Sequence, residues 1–190
     1  MARPDSGPGF GPDDVALTHG GQNALLLMFL CCLRGDRPVI LTEDLAYPGI
    51  RHAAKLARAE MVGVEIDDQG MMPDALEAAC RRHSAQILVL TPEAQNPTTG
   101  RMSAVRRAEI VEIARRYDLQ VVEDDCYSIA ESDLPSLRAL APERTWYIGS
   151  VSKIRLGGLA LWLCRLPGWH GRGGAADRTA RVLCAGAARV

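Results

Sequence analysis

The fold is decided by two stretches of the sequence, V-V-E-D-D-C-Y at residues 121–127 and W-Y-I-G-S-V-S-K at residues 146–153. In each, a run of β-branched and aromatic residues stops abruptly at polar residues, which is typical of buried parallel strands that end at a ligand crevice. The polar residues at these two ends are Asp124, Tyr127, Ser150, Ser152 and Lys153. The sequence therefore predicts that a carboxylate, a phenol, two hydroxyls and an amine gather at one edge of a sheet.

The bulk composition limits the class of protein. The chain of 190 residues is long enough for one domain with a substantial core, and its 47% hydrophobic and 24% charged residues are ordinary for a soluble globular protein. A net charge of −1 gives no sign of binding to nucleic acid or to an anionic membrane. The sequence has no basic-then-apolar signal segment and no apolar run long enough to cross a bilayer, so we expect a cytoplasmic protein.

The six cysteines predict neither a metal site nor disulfides. Apart from Cys31 and Cys32 they are scattered, and none has the spacing of a zinc site or of a C-x-x-C motif. In a cytoplasmic protein we expect such cysteines to be buried thiols.

The sequence upstream predicts a phosphate-binding turn. A short strand at residues 15–18 ends in H-G-G-Q at residues 19–22, and residues 23–33 are apolar almost all round, which is typical of a buried helix. A strand that passes through glycines into a helix presents free backbone N–H groups and the positive end of the helix dipole, and both attract phosphate. Taken alone, a Gly-Gly pair before a helix more often marks a simple tight turn.

Two further strands lead into polar loops. The strand at residues 38–42 is followed by Tyr47, which on its own could equally be a loop tyrosine packed on the surface. The strand at residues 86–90 runs into T-P-E-A-Q-N-P-T-T-G at residues 91–100, where two prolines exclude both strand and helix and so predict a rigid loop. Beyond this loop, Ser103 is the predicted N-cap of a helix.

The alternation of strands and helices along the chain predicts an α/β sandwich with a mostly parallel sheet. In such a sheet, residues at the ends of several strands meet at one edge and form a ligand site. The alternative is a doubly wound domain of another kind, in which the polar strand ends are incidental.

These motifs, in this order, resemble the core of the pyridoxal-phosphate (PLP) aminotransferases of fold type I. In that family Asp-x-x-Tyr and Ser-x-Ser-Lys end neighbouring strands, as at residues 124–127 and 150–153. The family's Asn-Pro-Thr-Gly motif corresponds to N-P-T-T-G from Asn96, where the extra threonine is a departure that leaves the asparagine in place. The resemblance implies a three-layer α/β sandwich with a mostly parallel mixed sheet, the large domain of fold type I transferases. It also implies pyridoxal 5′-phosphate as the cofactor, with no metal.

The resemblance implies roles for individual residues. Lys153 would carry the cofactor as a Schiff base and then act as the base that moves a proton between the substrate Cα and C4′. Asp124 would lie against the pyridine nitrogen and keep it protonated. Asp125 or Glu123 could be proposed instead, but only Asp124 has the Asp-x-x-Tyr spacing.

The remaining implied contacts are to the ring, to its O3′ oxygen and to the phosphate. Tyr47 would stack on the pyridine, and Asn96 and Tyr127 would share O3′. Ser150 and the glycine turn would hold the phosphate. The implied catalytic residues are Lys153, Asp124 and Tyr127, and the implied cofactor-binding residues are Gly20, Gly21, Gln22, Tyr47, Asn96, Asp124, Tyr127, Ser150, Ser152 and Lys153.

The resemblance covers residues 15–153, which we predict to be the PLP-binding large domain. Residues 1–14 are rich in Gly, Pro and Asp, which predicts a loose lead-in. Residues 154–190 form an atypical tail with no Lys or Glu and a single Asp. We interpret this tail as a frameshifted translation from a GC-rich gene; the alternative is a genuine divergent end in which residues 159–166 form a strand.

The tail also lacks a family feature. Aminotransferases of this type place an arginine that clamps the phosphate seven or eight residues after the lysine, where this chain has Ala160 and Leu161. Family members are considerably longer, and a C-terminal small domain supplies the arginine that binds the substrate carboxylate. The resemblance therefore implies a truncated large domain that is weak or inactive as an enzyme, from a family whose full-length members are homodimers.

Three functions stay open at this point. The first is an aminotransferase domain that transfers an amino group between an amino acid and a 2-oxo acid. The sequences D-D-C-Y-S and Q-N-P-T-T most resemble those of the aminotransferase-like domains that are fused to GntR-type helix-turn-helix regulators. This resemblance implies the second function, an effector-sensing PLP domain. The third is a non-functional truncated remnant.

Overall fold

The computed structural model of the chain describes residues 15–126, 132–150 and 161–165, with the backbone alone for residues 15–17, 150 and 161–165. The strands are β1 (Val15–His19), β2 (Val39–Glu43), β3 (Glu60–Val64), β4 (Ile66–Asp67), β5 (Gly70–Met71), β6 (Ala85–Leu90), β7 (Gln120–Asp125), β8 (Thr145–Ser150) and β9 (Leu161–Arg165). The helices are α1 (Gly21–Cys32), α2 (Pro48–Leu56), α3 (Pro73–Arg82), α4 (Ala104–Arg116) and α5 (Leu137–Leu140).

Seven of these strands form one sheet in the order β1-β9-β8-β7-β6-β2-β3. Strands β3, β2, β6, β7 and β8 are parallel to one another, whereas β9 runs antiparallel to both β8 and β1. Strands β4 and β5 form a separate small hairpin. The predicted mostly parallel mixed sheet is therefore confirmed.

Helices cover both faces of the sheet because its central strands are apolar on both sides. On one face, which we call the α1 face, Val89 of β6 packs in a cluster with Phe29 of α1 and with residues of α2. On the other, the α4 face, Leu88 of β6 packs with Leu76 of α3 and Ile110 of α4. All five side chains are completely buried, and each such burial contributes about 1.5–3 kcal/mol to stability. The result is the predicted three-layer α/β sandwich.

Strand β9 lies in the range 159–166, where the sequence offered a strand as the alternative to a frameshifted tail. It occupies the position between β1 and β8, with Tyr147 opposite Arg165 on one side and Val15 opposite Arg165 on the other. That strand is therefore confirmed. Residues 1–14 and the remainder of the range 154–190 lie outside the described residues, so the frameshift stays an interpretation of the sequence.

Candidate functional site

One edge of the sheet collects the polar strand ends that the sequence predicts. Strands β2, β6, β7 and β8 are parallel, and β1 and β8 both run antiparallel to β9, so the carboxyl ends of all five lie at the same edge. The residues at these ends or directly after them are His19, Glu43, Thr91, Asp125 and Ser150. The carboxyl edge of such a sheet is where a ligand crevice is expected.

The first turn of α1 is open to an anion. Gly20 has a φ of 88°, in the left-handed region that glycine adopts without strain, and α1 begins at the next residue. The turn is held by the N–H of His19, which donates to Asn23 Oδ1 at 3.4 Å. Among the described residues no side chain caps this N-terminus, and its first turn contains no acidic residue. The N–H groups of Gly21 and Gln22 and the positive end of the helix dipole are therefore available to a phosphate.

Tyr47 lies next to this turn. A Cβ atom added to Gly49 would overlap both Gln22 Nε2 and Tyr47 Cε1, so the two side chains converge on the bare Cα of Gly49. Tyr47 is the N-cap residue of α2 and is 38% exposed, which leaves part of its ring accessible. The structure thus brings the aromatic ring and the glycine turn together, although they come from different strand-to-helix connections.

The loop that carries Asn96, residues 91–102, is tied to the connection between β2 and α2. Gln95 is 2% exposed, and its Nε2 donates to the carbonyl oxygen of Leu45 in that connection. Gln95 Oε1 accepts from the N–H of Thr98 at 2.9 Å and from its hydroxyl at 2.7 Å. As predicted, residues 91–100 contain neither helix nor strand. We call residues 91–102 the Asn96 loop.

Glu43 is a buried acidic residue that the sequence analysis missed. It is 2% exposed at the end of β2, where its Oε2 accepts from the N–H of Thr91 at 3.2 Å and from its hydroxyl at 2.8 Å. Its Oε1 is buried and has no hydrogen-bond partner within 3.5 Å among the described residues. Burial raises the pKa of Glu43 to about 7, although the two bonds from Thr91 and the nearby side-chain amide of Gln95 act in the opposite direction. The signal was available, because V-I-L-T-E at residues 39–43 is an apolar strand that stops at a carboxylate.

The three acidic residues at the end of β7 face different sides of the sheet. Val122 and Cys126 belong to the cluster on the α1 face, and strand side chains alternate, so Asp124 between them faces the same side as the α1 turn. Glu123 and Asp125 face the α4 side instead. Asp124 is 8% exposed, and its Oδ1 accepts from the N–H of Cys126 at 3.1 Å.

The two residues on the α4 side are engaged in other contacts. Glu123 is completely buried, and its two carboxylate oxygens accept from the N–H groups of Leu137 at 3.1 Å and Arg138 at 2.9 Å, which caps the start of α5. Burial raises the pKa of Glu123 to about 7. Asp125 accepts a hydrogen bond from the hydroxyl of Tyr147. Geometry and spacing thus favour the same residue, Asp124, for a ligand on the α1 face.

Four predicted residues are seen only in part or not at all. Ser150 is the last residue of β8, described by its backbone, which pairs with β9. Tyr127, Ser152 and Lys153 lie outside the described residues. The predicted residues that the structure describes with side chains all lie at the carboxyl edge: Gly20, Gly21, Gln22, Tyr47, Asn96 and Asp124.

The described part of the chain contains neither a candidate metal-ion cluster nor a helix able to span a membrane. Residues 15–126, 132–150 and 161–165 hold no group of three or more His, Cys, Asp or Glu side chains arranged to bind a metal ion. No helix within these ranges combines the length and apolar character needed to cross a membrane.

An open helix N-terminus, an adjacent aromatic ring and a buried carboxylate on one face of a mostly parallel sheet suit a phosphorylated, nitrogen-containing ring, as found in α/β domains with a ligand crevice at the carboxyl edge. The family model of aminotransferase class I and II matches residues 9–160 of this sequence. The chain therefore belongs to the aminotransferase class I and II family.

Similar proteins include both enzymes and regulators. The chain is 34% identical over 157 residues to YdeF of Bacillus subtilis, described as an uncharacterized HTH-type transcriptional regulator, and the match covers 82% of this chain and 34% of YdeF. It is 35% identical over 158 residues to the 2-aminoadipate transaminase of Thermus thermophilus, covering 80% of this chain and 40% of that enzyme. The chain thus spans about a third to two fifths of the length of these curated relatives.

The fold is shared with solved aminotransferases. The crystal structure of LysN, an α-aminoadipate aminotransferase from Thermus thermophilus complexed with N-(5′-phosphopyridoxyl)-L-leucine, superimposes with a TM-score of 0.79 at 31% sequence identity. The match covers 95% of this chain and 46% of LysN.

Proposed function

We propose that this chain is the cofactor-binding domain of a PLP-dependent aminotransferase, which transfers an amino group between an amino acid and a 2-oxo acid. The observation that carries the proposal is the position of Asp124. Of the three acidic residues at the end of β7, it is the one that faces the side of the sheet where α1 presents its open N-terminus.

The described residues fit the chemical groups of pyridoxal phosphate. Its phosphate suits the N–H groups of Gly21 and Gln22 at the start of α1, whose first turn contains no acidic residue. Its protonated pyridine nitrogen suits a buried carboxylate, which Asp124 supplies. Its ring suits the accessible part of Tyr47, next to the same turn.

Each residue would have a distinct task. When bound, pyridoxal phosphate supplies an electron sink for the substrate's Cα electrons. Asp124 would hold a proton at the pyridine nitrogen, because a buried carboxylate favours a cationic partner. Asn96 and Tyr127 would orient O3′, and Ser150 and Ser152 would contribute hydroxyl donors to the phosphate.

Lys153 would hold the cofactor covalently and, once released by the substrate's amine, move a proton between the substrate Cα and the cofactor C4′. The sequence contains a single other lysine, Lys55, which is exposed on α2. If the cofactor binds covalently to a lysine, Lys153 is therefore the candidate, and Lys55 serves as the control.

The experiment that tests the proposal is an absorbance titration with pyridoxal phosphate. We expect the wild type and Lys55→Ala to change the cofactor spectrum and, after borohydride reduction, to carry the cofactor mass on the peptide with Lys153. Lys153→Ala should do neither. A spectrum that changes equally in Lys153→Ala would refute the covalent role of Lys153.

A second candidate function rests on the similarity to YdeF, an HTH-type regulator. In that case the domain would bind the cofactor and an amino acid or related effector as part of a transcriptional regulator, without turnover. Assays with a panel of amino acids and 2-oxoglutarate separate the two functions. Turnover would support the enzyme, and a spectral response to an amino acid without product would support the effector domain. For either function we propose a cytoplasmic location and a homodimer.

A further inference from the structure

Arg107 on α4 is a charged residue in an unusual position. Its side chain is completely buried and is among the largest fully buried side chains of the described residues. A buried guanidinium is costly unless its N–H groups are hydrogen-bonded and its charge is paired. The partners of Arg107 therefore identify what this residue stabilises.

Arg107 binds both ends of the Asn96 loop. Its Nε donates to the carbonyl oxygen of Met102 at 3.0 Å, and its Nη2 donates to that of Pro92 at 3.1 Å. The N–H of Met102 also donates to the Pro92 carbonyl, at 2.9 Å, which closes the loop at its base. Nη2 forms an ion pair with Glu93 Oε2 at 2.8 Å. Three of the four hydrogen bonds of this guanidinium therefore hold one loop.

The fourth hydrogen bond reaches a second segment. Nη1 donates to the carbonyl oxygen of Pro135 at 2.9 Å, in the stretch that continues the chain from Tyr127 towards α5. Glu93 joins the same stretch, because its Oε2 also accepts from the hydroxyl of Ser132 at 3.0 Å. One buried cation thus connects the Asn96 loop to residues 132–135, which lead into α5.

We propose that Arg107 is a positioning residue for the cofactor site, which fixes the Asn96 loop against residues 132–135, and so fixes Asn96, without touching the cofactor. This inference rests on the proposed function, in which Asn96 contacts the O3′ oxygen. A side chain on a loop can bind a fixed oxygen only if the loop keeps its place, and the planar guanidinium holds that place through four N–H donors in a rigid fork.

The test uses Arg107→Lys and Arg107→Met, with Arg106→Met as a matched control. Arg106 is the next residue on α4 and donates three hydrogen bonds at 2.9–3.1 Å, but to Asp67 and Met71 and not to either loop. Three quantities are measured for each full-length variant: the melting temperature, the Kd for pyridoxal phosphate, and the pH midpoint of the bound cofactor's absorption change.

We expect Arg107→Met to raise the Kd by about tenfold or more and to displace the pH midpoint, because Asn96 loses its fixed position relative to O3′. Arg107→Lys should give a smaller change in the same direction, since an ammonium group cannot span both segments. Arg106→Met should lower the melting temperature and leave the Kd and the midpoint at wild-type values.

If Arg107→Met does not fold, Arg107→Lys and Glu93→Gln carry the test, because each weakens the connection and keeps most of it. A loss of melting temperature with unchanged Kd and midpoint would assign Arg107 to stability alone and overturn the inference. The same holds if Arg106→Met moves the midpoint as far as the Arg107 variants do. A wild type that does not bind the cofactor at all would instead overturn the proposed function and this inference with it.

Discussion

At the scale of single residues, the three acidic side chains at the end of β7 face different sides of the sheet. Asp124 is on the α1 face, whereas Asp125 contacts Tyr147 on the α4 face. We predict that Asp124→Ala weakens pyridoxal phosphate binding by about ten- to a hundredfold, the cost of a charge-assisted hydrogen bond. Asp125→Ala should lower the melting temperature with little effect on the Kd. Equal losses of affinity in both variants would show that the side of the sheet that a carboxylate faces does not determine whether it binds the cofactor.

Gly49 gives a prediction in which two effects have opposite signs. In a helix, alanine is favoured over glycine by up to about 1 kcal/mol. The added Cβ would however overlap Tyr47 Cε1, so the ring must move. We predict that Gly49→Ala lowers both the melting temperature and the affinity for pyridoxal phosphate. Arg51→Ala, exposed on the same helix, is the control. A higher melting temperature for Gly49→Ala would mean that helix propensity outweighs the clash.

Glu43 predicts a pH dependence of stability. Its pKa in the folded protein is about 7, above the usual value of 4.5, so the folded state holds its proton over a range in which the unfolded state has lost it. The stability that this residue contributes is therefore present below about pH 4.5 and is lost as the pH rises through about 7. Glu43→Gln should remove this loss, on the order of 3 kcal/mol. We expect the variant to gain melting temperature relative to the wild type at pH 8 more than at pH 5.

Glu123 is the matched comparison, because its pKa is also raised to about 7 by burial. Glutamine at position 43 keeps the oxygen that accepts from Thr91 and places its amide where Oε1 has no partner among the described residues. At position 123 both carboxylate oxygens accept from backbone N–H groups. A glutamine there would therefore turn its NH₂ group towards one of these N–H groups, and two donors would face each other. Glu123→Gln should therefore cost about 1–3 kcal/mol, and the cost should be largest at low pH, where the wild type still holds the stability that it loses as the pH rises through its own raised pKa. Equal changes in melting temperature for the two variants at pH 5 would contradict this account.

At the scale of elements, the start of α4 offers a direct test of a predicted cap. Ser103 Oγ accepts from the N–H of Arg106 at 3.3 Å, as expected for an N-cap serine. Ser103→Ala should cost about 1 kcal/mol, or roughly 2–4 °C of melting temperature in a chain of this length. Ser103→Asp should restore most of the loss, because aspartate caps equally well. If aspartate fails to restore it, the serine acts by packing and not by capping.

The strand ends were predictable, and the facing of the strands was not. An apolar run that stops at polar residues identified the carboxyl ends of β6, β7 and β8 from the sequence alone. The sequence does not show which side of the sheet a given strand residue faces. Central parallel strands are apolar on both sides, so they lack the alternation of polar and apolar residues that would distinguish the two sides. Only packing shows that Val122 lies against α1 and Val121 against the α4 face, which places Asp124.

Arg107 shows another limit of the sequence. It lies three residues before Ile110 and four before Val111, both buried, so the helical period places it on the inner face of α4. The charge of an arginine favours an exposed position just as strongly. Its burial is decided by acceptors in residues 92–102 and at Pro135, and such long-range partners cannot be found from local sequence.

At the scale of the whole molecule, binding of the cofactor should stabilise the fold. A ligand present at a hundred times its Kd stabilises the native state by about 2.7 kcal/mol, which corresponds to roughly 5–10 °C for a chain of this length. We predict such a rise with pyridoxal phosphate and a smaller one with pyridoxal, which lacks the phosphate that the α1 turn would hold. Differential scanning fluorimetry measures both. An equal rise with the two ligands would show that the turn contributes no phosphate binding.

The position of β9 between β1 and β8 also sets an order of assembly during synthesis. Val15 pairs with Arg165, a separation of 150 positions, so β1 joins the sheet among the last contacts to form. Until the ribosome has released β9, the nascent chain presents unpaired strand edges on β1 and on β8, in addition to the edge strand β3, and such edges recruit other chains. The glycine turn is attached to β1 and would be placed in the same late step. Formation of the proposed phosphate site is therefore coupled to closure of the sheet, and chaperone dependence should centre on this interval.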